Sequence, residues 1–304
     1  MSTVLVSGAT GFLGSHIVKA LISDNHKVVI LKRSTSDTYR INDVMDRLLC
    51  YDVDVQNLEE AFSDHKPEVV IHTACSYGKD EEPIYKTVES NLIFGLEILD
   101  AAIKYGTGTF FNTGTFYNNA SPQKHLNVYT LSKKQFLDWL KQQSDHIQVI
   151  NMKLEHMYGP TDAHSKFVPW LISRLFEEPN EIPLTKGEQT RDFIYVDDVV
   201  SAFMTVLNQA DDLSNFEEYI VGTGNQVPLK KFIQTAKRIY EAEIKSSGTT
   251  LKFGAVPYRH GEIMKRNSDN QKLTDLGWKP AYTLENGLKK YIISYTKDLK
   301  GELN

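Results

Sequence analysis

Residues 4–21 read "VLVSGATGFLGSHIVKAL": an apolar strand, glycines at Gly8, Gly11 and Gly14, then the apolar spacing of a helix. Nothing else in the chain restricts its folding as much. A strand that enters a helix through so tight a turn must lay that helix back on itself, which opens a strand–helix–strand unit. The following residues continue the rhythm. Short β-rich runs at 3–7, 27–31, 69–73, 109–112 and 149–154 alternate with helical patterns at 12–23, 58–65, roughly 84–105 and 129–143. The runs are nearly all apolar, as in strands buried on both faces, and the alternation predicts a parallel sheet with helices on both sides.

After about residue 151 the rhythm loosens into stretches rich in proline, glycine and aromatics, such as "MYGPTDAHSKFVPW" and "FGAVPYRHGE". The helix "VDDVVSAFMTVLNQ" and the strand "EEYIVGTG" are expected to rejoin the sheet. The layout is therefore α/β: a Rossmann-type doubly wound parallel sheet with a smaller C-terminal lobe. Residues 1–155, with a return segment at about 192–224, would bind the dinucleotide. Residues 156–191 and 225–304 would form the substrate lobe over the carboxyl ends of the strands, where open α/β sheets take ligands.

Composition removes several alternatives. The chain has 304 residues and a formal charge of -5, with no basic run to attract nucleic acid or an anionic membrane. Apolar runs such as "KVVIL" are strand-length, too short to cross a bilayer. The sequence passes from "MST" directly into a strand, so no secretory leader is expected and the cytoplasm is the expected location. The two cysteines, Cys50 and Cys75, have neither metal-ligand nor redox-pair spacing, and no metal is expected.

The three glycines let the backbone pass close to a pyrophosphate, which then lies at the positive end of the following helix. The second strand ends at Leu31-Lys32-Arg33-Ser34, with no acid to hold a ribose 2′-hydroxyl. A 2′-phosphate suits an arginine fork and hydroxyl donors, so NADP(H) is preferred over NAD(H); the alternative is that Lys32 and Arg33 merely solvate a loop. Asp52 and Val53 follow the third strand, where the adenine is expected.

In "NVYTLSKKQF", Tyr129 precedes Lys133 by one helical turn, so both lie on one face. A nearby ammonium favours phenolate and is expected to lower the tyrosine pKa. With "SGATGFLGSH", "VVIHTAC", "ESNLIFGLEILDAA", "NTGTFY", "YTLSK", "MYGP", "RDFIYVDDVV" and "LGWKP" in that order, the chain resembles the nucleotide-sugar branch of the extended short-chain dehydrogenase/reductase family over nearly its whole length. The resemblance implies that Tyr129 is the proton donor and Lys133 the holder of the nicotinamide ribose. It implies that Thr113, four residues before Tyr117, bonds the reacting oxygen. It places Phe12, Leu13 and Ala74 with the cofactor and Cys75 with the substrate. Asn91 matches a family asparagine, and lines the active site or braces two helices; the sequence leaves both open.

Further along, the resemblance makes Arg191 and Arg259 the clamp on a nucleoside diphosphate, with Glu262 facing the ribose and Lys166 and Phe167 beside the nucleotide. His156 replaces a usual asparagine, and either donates to phosphate or packs. The departures restrict the chemistry. Thr113 is followed by Gly114 and Thr115, not by the acidic pair of the 4,6-dehydratases. "KLEHMYGP", "GEQTRDF" and "VGTG" look most like CDP-abequose and CDP-paratose synthases and related 4-ketoreductases. That similarity implies NADPH-dependent reduction of a CDP- or dTDP-linked 4-keto-6-deoxy or 3,6-dideoxy hexose, in the making of surface polysaccharide precursors. An NAD-dependent 4-epimerase is the first alternative, and a dinucleotide-sensing protein without catalysis the second. Family members commonly form homodimers through the helices equivalent to 91–105 and 129–143; Ile93, Leu96 and Leu99 face either a partner or the sheet.

Overall fold

The alternation closes into a seven-stranded sheet in the computed structural model, which describes residues 1–78, 82–119 and 127–299. Strands β1 (Thr3–Ser7), β2 (Lys27–Lys32), β3 (Leu48–Asp52), β4 (Val69–His72), β5 (Thr109–Thr115) and β6 (Gln148–Leu154) are joined by the later strand Phe216–Val221. Their order is 216–221, β6, β5, β4, β1, β2, β3, and every pairing is parallel. The chain reverses direction of growth at the junction of β1 and β4, the switch point at which such sheets bind ligands.

Helices α1 (Phe12–Ser23), α2 (Leu58–His65), α3 (Ile84–Val88), α4 (Phe94–Lys104) and α5 (Asn127–Gln142) connect these strands. One face of the sheet presents Leu5, Val29, Val70, Phe110 and Val149 to Phe62 of α2, Ile98 and Leu99 of α4 and Phe136 and Leu140 of α5. These side chains exclude water together, and burying each is worth about 1.5–3 kcal/mol. Leu99 therefore serves the sheet and Leu96 packs partly against the same core, while Ile93 is exposed. The single helix expected over 84–105 is broken by a π-helical turn at Glu89–Ile93. Such turns are frequent at functional sites, and this one carries the fully buried Asn91.

The chain divides into two units. The first comprises Met1–Leu154, Val200–Val221 and Asp275–Trp278. The second comprises Glu155–Val199, Gly222–Thr274 and the residues from Lys279 onward. The second unit is built from short pairings: His156–Tyr158 with Phe193–Tyr195, Glu181–Leu184 with Thr250–Phe253, and Thr190–Arg191 with Val227–Pro228. Helices Phe167–Glu177, Leu229–Glu243 and Leu284–Leu299 pack around them. Buried carboxylates bind its loops: Asp192 accepts from the backbone N–H of Thr223 and Gly224 and from the Thr223 hydroxyl at 3.0, 2.9 and 2.6 Å. Asp198 likewise accepts from the amides of Ala281 and Tyr282.

Candidate active site

The turn after β1 fits a dinucleotide. Gly8 has φ +71°, a conformation that side chains rarely adopt, and a Cβ on Gly14 would stand 2.1 Å from the Gly8 carbonyl oxygen. Gly11 accepts no Cβ without crowding the same oxygen, and its own N–H donates to it at 2.9 Å. Gly11 is also the N-cap of the 12-residue α1 and has no side chain to cap it. The first-turn amides thus keep their donors for an anion, beside the positive end of the helix. Phe12 and Leu13 begin that helix and are buried, and Ala74, after β4, lies so close that a Cβ on Gly8 would meet its nitrogen at 2.5 Å. The residues present fit the pyrophosphate of a bound dinucleotide.

The residues after β2 are less uniform than their sequence. Lys32 forms an ion pair with Asp52 at the end of β3. The backbone N–H and hydroxyl of Ser34 both donate to Asp54, at 2.7 Å each. Those two bonds hold the Asp54 carboxyl below the usual carboxylate range. Arg33 is exposed, and its charge adds to the lowering of the Asp54 carboxyl. Val53 donates its N–H to the Lys32 carbonyl at 2.9 Å, which fixes the strand end on which Asp52 sits. Arg40, unsignalled by any motif, donates to the Thr10 carbonyl within the glycine turn at 3.2 Å.

Tyr129 and Lys133 project from α5 and are almost wholly buried. The Tyr129 hydroxyl bonds to Thr115 rather than to Thr113. Thr113 Oγ1 is buried with no partner, a donor held ready for an oxygen that is not part of the chain. The expected lowering of the tyrosine pKa is not what this geometry produces. Burial, with the ionisable hydroxyl of Tyr77 and the thiol of Cys75 next, raises the Tyr129 phenol well above its ordinary value. Burial also lowers the Lys133 ammonium, opposed by the Cys75 thiol, so desolvation dominates at both groups. His72, at the end of β4, bonds Ser7 at 2.7 Å. Burial, then the charge of Lys133, pushes its imidazole down to about 3, so it is neutral at working pH.

Asn91 braces two elements that carry the site. Its Oδ1 accepts from Ser76 N–H at 2.6 Å, and its Nδ2 donates to Ser76 O at 2.7 Å and Ser132 Oγ at 3.0 Å. Of the two readings left open for it, the brace is the one these bonds describe: Asn91 ties the loop at Ser76 to Ser132 of α5. Cys75 is exposed in the same loop.

The second unit gathers a separate group of charges. Arg191 donates to the carbonyls of Thr190 and Ile263 at 2.7 and 2.6 Å and pairs with Glu262. Glu155 is buried 3.6 Å from Arg266 and 3.9 Å from His156. Burial raises its carboxyl to about 7, opposed by Arg266 and reinforced by Asp192. Burial and then Arg191 and Arg266 hold His156 well below its ordinary value, hence neutral. Lys166 pairs with the buried Asp162 at 2.9 Å, and Phe167 starts its helix beside Trp170. Arg259 is exposed, in a turn closed by Glu262 N–H onto its carbonyl at 3.1 Å.

Glu155 and Arg266 were not singled out in the sequence. A glutamate inside an apolar run, "NMKLEHMY", was the available signal, since an acid there needs a cation. Among the described residues no cluster of metal-ligating side chains occurs, and no helix is long and apolar enough to cross a membrane.

A glycine cradle at the switch point and a buried Tyr–Lys pair define a nicotinamide-dependent oxidoreductase fold. The model of the NAD dependent epimerase/dehydratase family matches residues 4–222, and the chain belongs to that family. It is 33% identical to a CDP-abequose synthase of Salmonella typhimurium, over 95% of this chain and 97% of that one. Among solved structures it is similar to a UDP-glucose 4-epimerase of Thermotoga maritima with UDP-glucose, with TM-score 0.82 and 26% identity over 98% of this chain and 99% of that one. A dTDP-glucose 4,6-dehydratase of Bacillus anthracis shares the fold, with TM-score 0.83 and 20% identity over the whole of both chains.

Proposed function

We propose that this chain is an NADPH-dependent 4-ketoreductase of a CDP- or dTDP-linked 4-keto-6-deoxy or 3,6-dideoxy hexose. The observation that carries the reading is the set Thr113, Tyr129 and Lys133 with Gly114 and Thr115 where a dehydratase would need acids. Elimination of water requires an acid and a base beside the sugar; reduction of a ketone requires one proton and a donor for the developing oxyanion. The likeness to a CDP-abequose synthase supports the same direction.

The cofactor, when bound, supplies the hydride. Gly8, Gly11 and Gly14 with the α1 amides hold its pyrophosphate, Asp52 and Val53 meet the adenine, and Arg33, with Lys32 and Ser34, receives the 2′-phosphate. Tyr129 stays a phenol at working pH because burial raises its pKa, so the proton is in place to be given to the C4 oxygen. Thr113 Oγ1 donates to that oxygen, and Lys133 holds the nicotinamide ribose. In the second unit Arg191 and Arg259 anchor the diphosphate, with His156, Lys166, Phe167 and Glu262 around the nucleotide; Cys75 borders the sugar. We assign a homodimer to the exposed side chains Ile93, Leu131 and Trp139 on the helices of the first unit, and a cytoplasmic location in which Cys50 and Cys75 stay free thiols.

A 4-epimerase is the second reading, favoured by the engagement of Lys32 and Ser34 with Asp52 and Asp54, acids that would oppose a 2′-phosphate at the same strand end. Purified protein that carries non-exchanging NAD would establish it. The test of the main reading is NADPH oxidation with a set of 4-keto sugar nucleotides, with NMR of the product. Tyr129→Phe should cut turnover by roughly 10²–10⁴-fold, the usual contribution of a general acid, with cofactor affinity kept. Wild-type turnover in that variant would sink the assignment.

A further inference from the structure

No motif draws attention to Tyr77, in the loop that follows β4. Its ring nevertheless lies against that of Tyr129, with centroids 4.9 Å apart and planes inclined by 27°. The contact is built from both sides. Ser76, the residue before Tyr77, is held by its N–H and its carbonyl to the Asn91 amide at 2.6 and 2.7 Å. The same Asn91 amide donates to Ser132 Oγ at 3.0 Å, and Ser132 Oγ donates to the Tyr129 carbonyl at 3.0 Å. One fully buried side chain thus references both rings to each other. The loop is closed further by Gly78 N–H on Ser76 Oγ at 3.2 Å and by the Ser76–Glu82 bond.

A helix backbone fixes where Tyr129 starts, but the torsion that sets its ring plane has a broad, two-fold potential. Something must hold that plane if the hydroxyl is to point steadily at one place. We propose that Tyr77 is a positioning residue for Tyr129: the Asn91-clamped loop lays its ring on the phenol and fixes the plane in which the hydroxyl meets Thr115. The inference rests on Tyr129 being the proton donor. The groups that face the phenol are Tyr77 and Cys75 from this loop and Thr115 and Tyr117 from the end of β5 and the turn after it. Burial and Tyr77 both act to raise its pKa, so removing the Tyr77 ring admits water and moves the Tyr129 titration to lower pH.

Tyr77→Leu and Tyr77→Phe separate the ring from its hydroxyl. Tyr77→Leu should lower kcat about tenfold, the rate equivalent of losing an aromatic pair, with KM for the ketone and Kd for NADPH changed by no more than about twofold. The basic limb of its pH–rate profile should move to lower pH. Tyr77→Phe keeps the ring and should restore kcat to within about twofold of wild type. Carbon-13 NMR of ring-labelled tyrosine, with the Tyr129 signal assigned from Tyr129→Phe, reads the titration directly and needs no substrate. An unmoved Tyr129 titration in Tyr77→Leu, or equal loss of kcat in both variants, overturns the proposal. Failure of the ketoreductase reading looks different: the wild-type protein would oxidise NADPH with none of the ketones, while the NMR comparison would still decide the role of Tyr77.

Discussion

The two units engage their charged and catalytically assigned groups differently, although buried polar atoms without a bond occur in both, Thr113 Oγ1 in the first and Thr249 Oγ1 and the Gln226 amide in the second. In the first, the groups assigned to chemistry are few, and one of them, Thr113 Oγ1, is left without a partner. In the second, the charges are many and already committed: Arg191 to Glu262 and two carbonyls, Asp192 to three donors, Lys166 to Asp162. An unpaired buried donor costs stability and is kept where a ligand will use it. A saturated carboxylate or guanidinium mainly holds loops in place. Substitutions in the second unit should therefore register first as stability, and those in the first unit as rate.

The sharpest break of that contrast would come at Asp192. Asp192→Ala strands two amide N–H groups and a hydroxyl and should cost roughly 3–5 kcal/mol, read as a fall in the urea midpoint. A loss below about 1 kcal/mol would mean that water replaces the carboxylate freely and that the second unit is not held by its charges. Glu155 comes next. Its folded pKa of about 7 lies above the ordinary 4.5, so the folded chain keeps a proton that the unfolded chain has lost. Stability then falls as pH rises from about 4.5 to 7, by about 3 kcal/mol in all. Glu155→Gln should flatten that slope, and a wild-type curve with no decline through this window would contradict the burial of the acid.

In the first unit, Thr113→Val should leave the urea midpoint within about 0.5 kcal/mol while kcat drops about 100-fold, the usual loss for one oxyanion donor. A large stability loss with normal turnover would reverse the assignment of the two units. The smallest effect is expected at Arg33: Arg33→Ala should weaken NADPH binding about tenfold and leave NADH unchanged. Equal weakening of both would remove the 2′-phosphate from its role.

The first unit was largely legible because backbone rules write it. α1 and α2 fall at 12–23 and 58–65 as read, since glycine turns and apolar periodicity are local signals. β5 runs on to Thr115, past the expected end at 112, because small polar residues at a strand's carboxyl end give no hydrophobic signal. The π turn at Glu89–Ile93 was invisible: a widened turn changes which face a residue takes without changing composition. In the second unit Arg191 and Glu262 were noticed separately, but their mutual bond lies 71 positions apart in the chain. The fate of Glu155 depends on Arg266 in the same way. Long-range charge pairing leaves no period in a sequence, and the direction of the Tyr129 pKa was misjudged for a related reason, since spacing reports a neighbour but not the depth of burial.

The strand Phe216–Val221 pairs with β6 along its whole length, yet residues 155–215 separate the two in the chain, and Glu155–Val199 of that stretch belong to the second unit. During synthesis β6 leaves the ribosome long before its outer neighbour exists. At about 5–20 residues per second, its edge stays bare for several seconds, and its sequence "QVINMKL" carries Val149, Ile150, Met152 and Leu154. The nascent chain is thus most open to strand-to-strand aggregation in that interval, and expression at low temperature or with a chaperone should favour soluble protein for a reason unconnected with final stability.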